Sequence, residues 1–220
     1  MKQIYSPTRP DYRSAMGQLL VLYTQVDKLI MLACAERISH APDDDARLGL
    51  ARQVGDESRH VVIQQEWIAQ FGGDRKPLLT AAQEEAILAH FRALGWIDFL
   101  IDMYLCVEAL GSDAVEQIVP LADPGTQESL HIPLADELNH IAFGINRLRE
   151  ELASMQPAAR QACLDRIPQR IADLAHTFFA TGIDVQTLFE AVGADFEELR
   201  TAVLARKDEI LREVAVPLAA

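Results

Sequence analysis

The chain has 220 residues, enough for one domain with a substantial core. Half of the residues are hydrophobic, 24% are charged and 6% are aromatic, a profile that suits a soluble helical protein. A formal net charge of −13 argues against nucleic acid or an anionic membrane surface as the main partner.

The opening Met1–Pro7 has no apolar run after its charge, so no signal peptide is expected. The most apolar stretch, 19–35, is interrupted by Gln25, Asp27 and Lys28 and makes a poor membrane span. Three scattered cysteines, Cys34, Cys106 and Cys163, suggest reduced thiols and a cytoplasmic location rather than a disulfide framework. Long stretches of helical period are separated by short Pro, Gly and Asp punctuation, with no convincing strand alternation.

A first helix is predicted from about Tyr12 to Ser39, with Leu19, Leu20, Tyr23, Val26, Ile30, Met31 and Cys34 as its apolar stripe. The turn Ala41-Pro42-Asp43-Asp44 ends it and caps a second helix, which runs to about Phe71 and stops at Gly72-Gly73. Thr80 is expected to cap a helix that begins near Ala81, and Gly95 to separate it from the next, which reaches about Val119. After the turn Asp123-Pro124-Gly125 a long helix extends to about Ser154. Pro133 falls inside it and should kink it by removing one backbone hydrogen bond; a helix start near Pro133 is the less favoured alternative. Helices over roughly 157–180, 185–192 and 195–214 complete the chain.

Two of these helices carry the same motif. Asp-Glu-x-x-His occurs as Asp56-Glu57-Ser58-Arg59-His60 and as Asp136-Glu137-Leu138-Asn139-His140. Helix positions i and i+3 share a face, so each copy aims a carboxylate and an imidazole at one point. The surroundings repeat as well, because Tyr23, Val26 and Asp27 align with Tyr104, Val107 and Glu108. Asp27 precedes Glu57 by 30 residues and Glu108 precedes Glu137 by 29. The chain therefore reads as two helix pairs, each offering one carboxylate and then one Glu-x-x-His.

The neighbours of Asp27, Glu57, Glu108 and Glu137 at helical spacing place all four carboxylates toward the core. Burying them uncompensated would cost several kcal/mol per ion. The inward stripes offer few cations, since Lys28 and Arg59 are expected to point elsewhere. Two divalent ions would balance four carboxylates and two neutral imidazoles, and a carboxylate-rich set suits iron or manganese better than structural zinc. Glu36 is the rival to Asp27, but it lies two and a half turns away, on the opposite face. Tyr23 and Tyr104, each one turn before a carboxylate, read as core residues with hydrogen-bonded hydroxyls in preference to redox-active groups. Cys106 and Gly111 fit a pocket wall or ordinary helix packing equally well. His40, His90, His131 and His176 read as surface or supporting residues, with His131 and His176 on helices that could fold near the site.

The six-residue pattern Asp27, Glu57, His60, Glu108, Glu137 and His140 resembles that of the ferritin-like di-iron carboxylate superfamily. The resemblance covers about 12–152. It implies an all-α, ferritin-like four-helix bundle over about 12–154 with additional C-terminal helices over about 155–220, forming one domain. It also implies that Asp56 orients His140 and that Asp136 orients His60. Glu57-Ser58-Arg59-His60 and the segment Glu137–Gly144 are similar to the aldehyde-deformylating oxygenases, with Asp27 and Asp56 as departures. Asp-Glu-x-x-His with a following Phe143-Gly144 is similar to phenylacetyl-CoA oxygenase catalytic subunits. Ribonucleotide reductase small subunits carry a radical tyrosine where this chain has Gln64.

These resemblances imply two iron ions, or one iron and one manganese, that activate O2 to oxidise a small apolar or CoA-linked substrate. They imply a ferredoxin or reductase as electron donor and a homodimer or hetero-oligomer as the assembly. Iron handling by a ferroxidase and a non-catalytic subunit of an oxygenase complex are the alternatives.

Overall fold

In the computed structural model, which describes residues 10–72 and 75–216, every regular element is helical. The expected caps form at the expected places. Helix α1 spans Pro10–Ile38 and α2 spans Asp44–Phe71, opened by Asp43, whose carboxylate accepts from the Ala46 backbone N–H at 2.8 Å. Gly72 ends α2 in the left-handed region at φ 74°, a conformation that costs glycine little. Its expected companion Gly73 and the N-terminal segment Met1–Pro7 lie outside the described residues. Helix α3, Ala81–Ala93, begins at a reciprocal Thr80–Gln83 capping box, and Gly95 separates it from α4, Trp96–Leu100.

The helix after Gly95 is not one uniform α-helix. From Ile101 to Glu108 it widens into a π-helix, then returns to α-form as α5, Ala109–Ile118, and ends in a 3₁₀ turn at Val119–Leu121. The Ala109 N–H bonds to the Tyr104 carbonyl, five residues back. Ile101 to Leu105 are all buried in this segment. Changing the number of residues per turn also changes what lies beyond it: Ala109 and Ser112 are buried, whereas Gly111, a candidate for a pocket wall or helix packing, is exposed.

Helix α6 spans Pro124–Ser154. Asp123 caps it through the Thr126 N–H at 3.0 Å, so Pro124 and Gly125, read as turn residues, belong to its first turn. The helix continues through Pro133, which excludes a start there. Proline at 133 leaves the Ser129 carbonyl without its usual donor, and Gln64 Nε2 donates to that carbonyl at 2.9 Å. Helices α7, Pro157–Phe179, α8, Val185–Ala191, and α9, Phe196–Ala215, follow.

Helix α1 packs along α2, α2 along α6, and α6 along the π segment. These four helical stretches surround a group of buried acids. Helix α1 meets the length and hydropathy of a membrane-crossing helix, and 61% of its apolar window is buried inside the fold. Helix α7 docks against the outer side of the π segment through a partly buried ion pair. Asp102, 2% exposed, accepts from Arg170 Nε at 2.9 Å and Nη2 at 2.6 Å and lies 2.8 Å from His90 Nε2.

Candidate metal centre

Each Glu-x-x-His pair occupies one turn, and the two pairs face each other across the α2–α6 contact. Asp27, Glu57, His60, Glu108, Glu137 and His140 are each at most 5% exposed. Their ligand atoms form two groups, Glu57 with Glu108, Glu137 and His140, and Asp27 with Glu57 and His60. Within each group the atoms lie within 4.8 Å of one another, and each group could hold a metal ion.

Both imidazoles turn Nδ1 inward. His60 Nδ1 is 3.1 Å from Glu57 Oε2 and 3.9 Å from Glu137 Oε1. His140 Nδ1 is 3.3 Å from Glu137 Oε2, 3.3 Å from Glu57 Oε1 and 3.8 Å from Glu108 Oε2. Glu57 and Glu137 therefore sit between the two histidines. The rings stand 6.1 Å apart, centroid to centroid.

The outward nitrogens are held in a crossed arrangement. His60 Nε2 is 3.0 Å from Asp136 Oδ2, and His140 Nε2 is 3.3 Å from Asp56 Oδ2. With the proton on Nε2, each ring donates outward to its aspartate and presents the Nδ1 lone pair to the centre. The leading Asp of each motif thus reaches the histidine of the other. Arg59 closes this outer layer by donating to Asp56 at 3.1 Å and to Asp136. That corrects the expectation that Arg59 points away from the site: it compensates the two outer aspartates and leaves the inner four carboxylates unpaired with any cationic Lys or Arg among the described residues.

The inner carboxylates carry the signature of missing partners. Among the described residues, both Asp27 oxygens, Glu57 Oε1 and Glu108 Oε2 are buried without a hydrogen bond. Burial, with repulsion from Glu57 and Glu137, raises the Asp27 pKa well above the usual carboxylate range. Burial and Glu137 do the same to Glu108. Burial also acts on Glu137, but the neighbouring Glu108 carboxyl and His140 outweigh it and hold this carboxyl low. Burial opposes a charge on both imidazoles, and hydrogen bonds to the surrounding carboxylates reverse that effect and raise both pKa values. Without metal, the cluster keeps protons to limit its own repulsion. Divalent cations would replace those protons, and four carboxylates with two imidazoles form a hard-to-borderline donor set for them.

One residue absent from the sequence-based site completes it. Gln53 lies one turn before Glu57 on the same face, is 1% exposed, and donates through Nε2 to Glu108 Oε1. The Tyr104 hydroxyl donates to Gln53 Oε1 at 2.6 Å, as expected of a buried, bonded phenol. Tyr104 fits because position 144 is glycine: a Cβ there would overlap the tyrosine side chain. Tyr23 departs from expectation, since its hydroxyl is buried with no partner among the described residues. Helical spacing from Glu57 was the signal in the sequence for Gln53.

The remaining candidates lie elsewhere. His40, His131 and His176 are exposed, and His90 serves Asp102. Glu36 is exposed and pairs with Arg92. Cys106 faces Asp102 and Arg170, and burial pushes its thiol up to about 12. Surface grooves lined by Arg160, Leu164 and Ala215 share no residue with the cluster. Compared with known proteins, the chain matches no protein-family model and no curated protein.

Proposed function

We propose that the protein is a ferritin-like di-iron, or iron–manganese, oxidoreductase that uses O2 to oxidise a small apolar or CoA-linked substrate. The observation that carries this reading is the mutual orientation of the two Asp-Glu-x-x-His turns. Glu57 and Glu137 lie between His60 and His140, and each outer aspartate reaches the opposite imidazole. Asp27 and Glu108 would add one carboxylate to each of the two groups that could hold an ion. Iron bound there would supply the electrons and the open coordination positions for O2 chemistry.

The chain's own residues have definable tasks. Asp56 and Asp136 hold the imidazole protons on Nε2, so that Nδ1 stays available. Arg59 ion-pairs with both aspartates and holds them beside the rings. The Asp27 oxygens, unpartnered among the described residues, are available to incoming ions. The surrounding helices keep the acids dry, which strengthens every charge interaction in the centre. The electron donor is proposed to be a ferredoxin or reductase, and the location cytoplasmic.

Metal analysis of the protein purified without added metal, followed by anaerobic Fe(II) loading and exposure to O2, tests the reading. About two ions per chain and a new optical band on O2 exposure are expected; fewer than about one ion per chain after loading would sink it. Release of Fe(III) as the only product would favour ferroxidase activity instead.

A further inference from the structure

We infer that the two metal positions are unequal: the Glu57–Glu108–Glu137–His140 position fills first and keeps its ion, while the Asp27–Glu57–His60 position exchanges its ion and takes exogenous ligands. The inference rests on the two-metal reading above and ranks its halves.

Donor number separates them first. Four residues converge on one position and three on the other. Glu57 is shared almost evenly, at 3.1 Å from His60 and 3.3 Å from His140. Glu137 is not, because it lies 3.3 Å from His140 and 3.9 Å from His60. A three-donor position leaves more of an octahedral ion's coordination sphere open.

Preorganisation separates them further. Glu108 is tied through Gln53 to the Tyr104 hydroxyl, and Tyr104 is fully buried over Gly144. Gly144 is one turn after His140, so both ligands belong to one packed unit. Such outer partners are typically worth about 10–100-fold in metal affinity. Asp27 has none: both its oxygens are unpartnered among the described residues, and its side chain is one methylene shorter than glutamate. One turn before it, the Tyr23 hydroxyl is also buried without a partner among the described residues.

Stepwise Mn(II) addition to the metal-free protein, followed by EPR and equilibrium dialysis, tests the ranking. At one equivalent the wild type should show an isolated six-line Mn(II) spectrum, and at two a spin-coupled pair. The first Kd should lie at least about ten-fold below the second. Asp27→Ala should bind one ion with the first-step affinity retained within about three-fold. Gln53→Leu should weaken the first step about ten-fold and leave the second within about three-fold. Azide should perturb the two-ion spectrum and leave the one-ion spectrum unchanged. A coupled spectrum below one equivalent, or loss of both ions in a folded Asp27→Ala protein, would overturn the ranking. Absence of Mn(II) binding by the wild type would instead remove the two-metal reading, and the ranking with it.

Discussion

Gln53 and Gln64 stand one turn to either side of the Glu57–His60 pair, and each answers a polar group that would otherwise be buried alone. Gln64 covers the carbonyl that Pro133 leaves without a donor. Gln64→Ala should therefore destabilise the protein by about 1–3 kcal/mol in urea unfolding, the cost of an unpaired buried acceptor. An unchanged midpoint would mean that water reaches Ser129. Gly144→Ala would force a Cβ into Tyr104 and should cost about 1–3 kcal/mol, with weaker first-step Mn(II) binding through the displaced Gln53. Asp136→Ala removes the acceptor that orients His60 at a partly exposed position. Metal affinity should fall about 10–100-fold while the unfolding midpoint moves little; equal affinity would show that His60 needs no outer partner. The partners of both amides come from other helices, so spacing along α2 alone does not assign them.

At the scale of elements, α1, α2, α3 and α6 follow the capping and periodicity of the sequence closely. Asp43, Thr80 and Asp123 start their helices by local hydrogen bonds, which need only neighbouring residues. The π segment is different. No local signal announced it, and its buried run Ile101–Leu105 has neighbours on more than one side. Asp102 turns to Arg170 on α7, while Tyr104 and Glu108 turn to Gln53 on α2. Arg170→Ala would leave Asp102 buried without its cationic partner. A loss of about 3 kcal/mol is expected, the low end for a broken buried pair because Arg170 keeps some solvent contact. Hydrogen exchange over 101–108 should accelerate as well, and unchanged protection there would mean that α7 does not hold the π segment.

For the whole molecule, the cluster makes stability depend on pH and metal in opposite senses. Asp27, Glu108, His60 and His140 all hold protons more tightly in the fold than in the unfolded chain. For the histidines, the stabilisation is present below about pH 6.5 and is lost as pH rises through the folded values. For the two carboxyls, the unfolded chain ionises first, so their contribution also falls as pH rises above the ordinary carboxylate range. Glu137 and Asp136, held low, act in the other direction, but only near and below that range. Metal-free protein should therefore lose stability between about pH 6 and 9 in denaturant titrations. Saturating Mn(II) should raise the unfolding midpoint most at the alkaline end, where the ligands are deprotonated; a metal effect independent of pH would contradict the proton–metal exchange.

The sequence by itself determined the helical class, most helix limits and the inward placement of Asp27, Glu57, Glu108 and Glu137. Periodicity, caps and i,i+3 spacing are local properties, and a repeated motif doubles their signal. The tertiary structure decided what lies between helices: Arg59 over the two outer aspartates, the Tyr104–Gln53–Glu108 chain, the π turn and Asp27 without a partner among the described residues. Those depend on helix rotation and register, and the distances that fix them join residues roughly 50 to 80 positions apart. Spacing along one helix carries no information about such pairs until the helices pack.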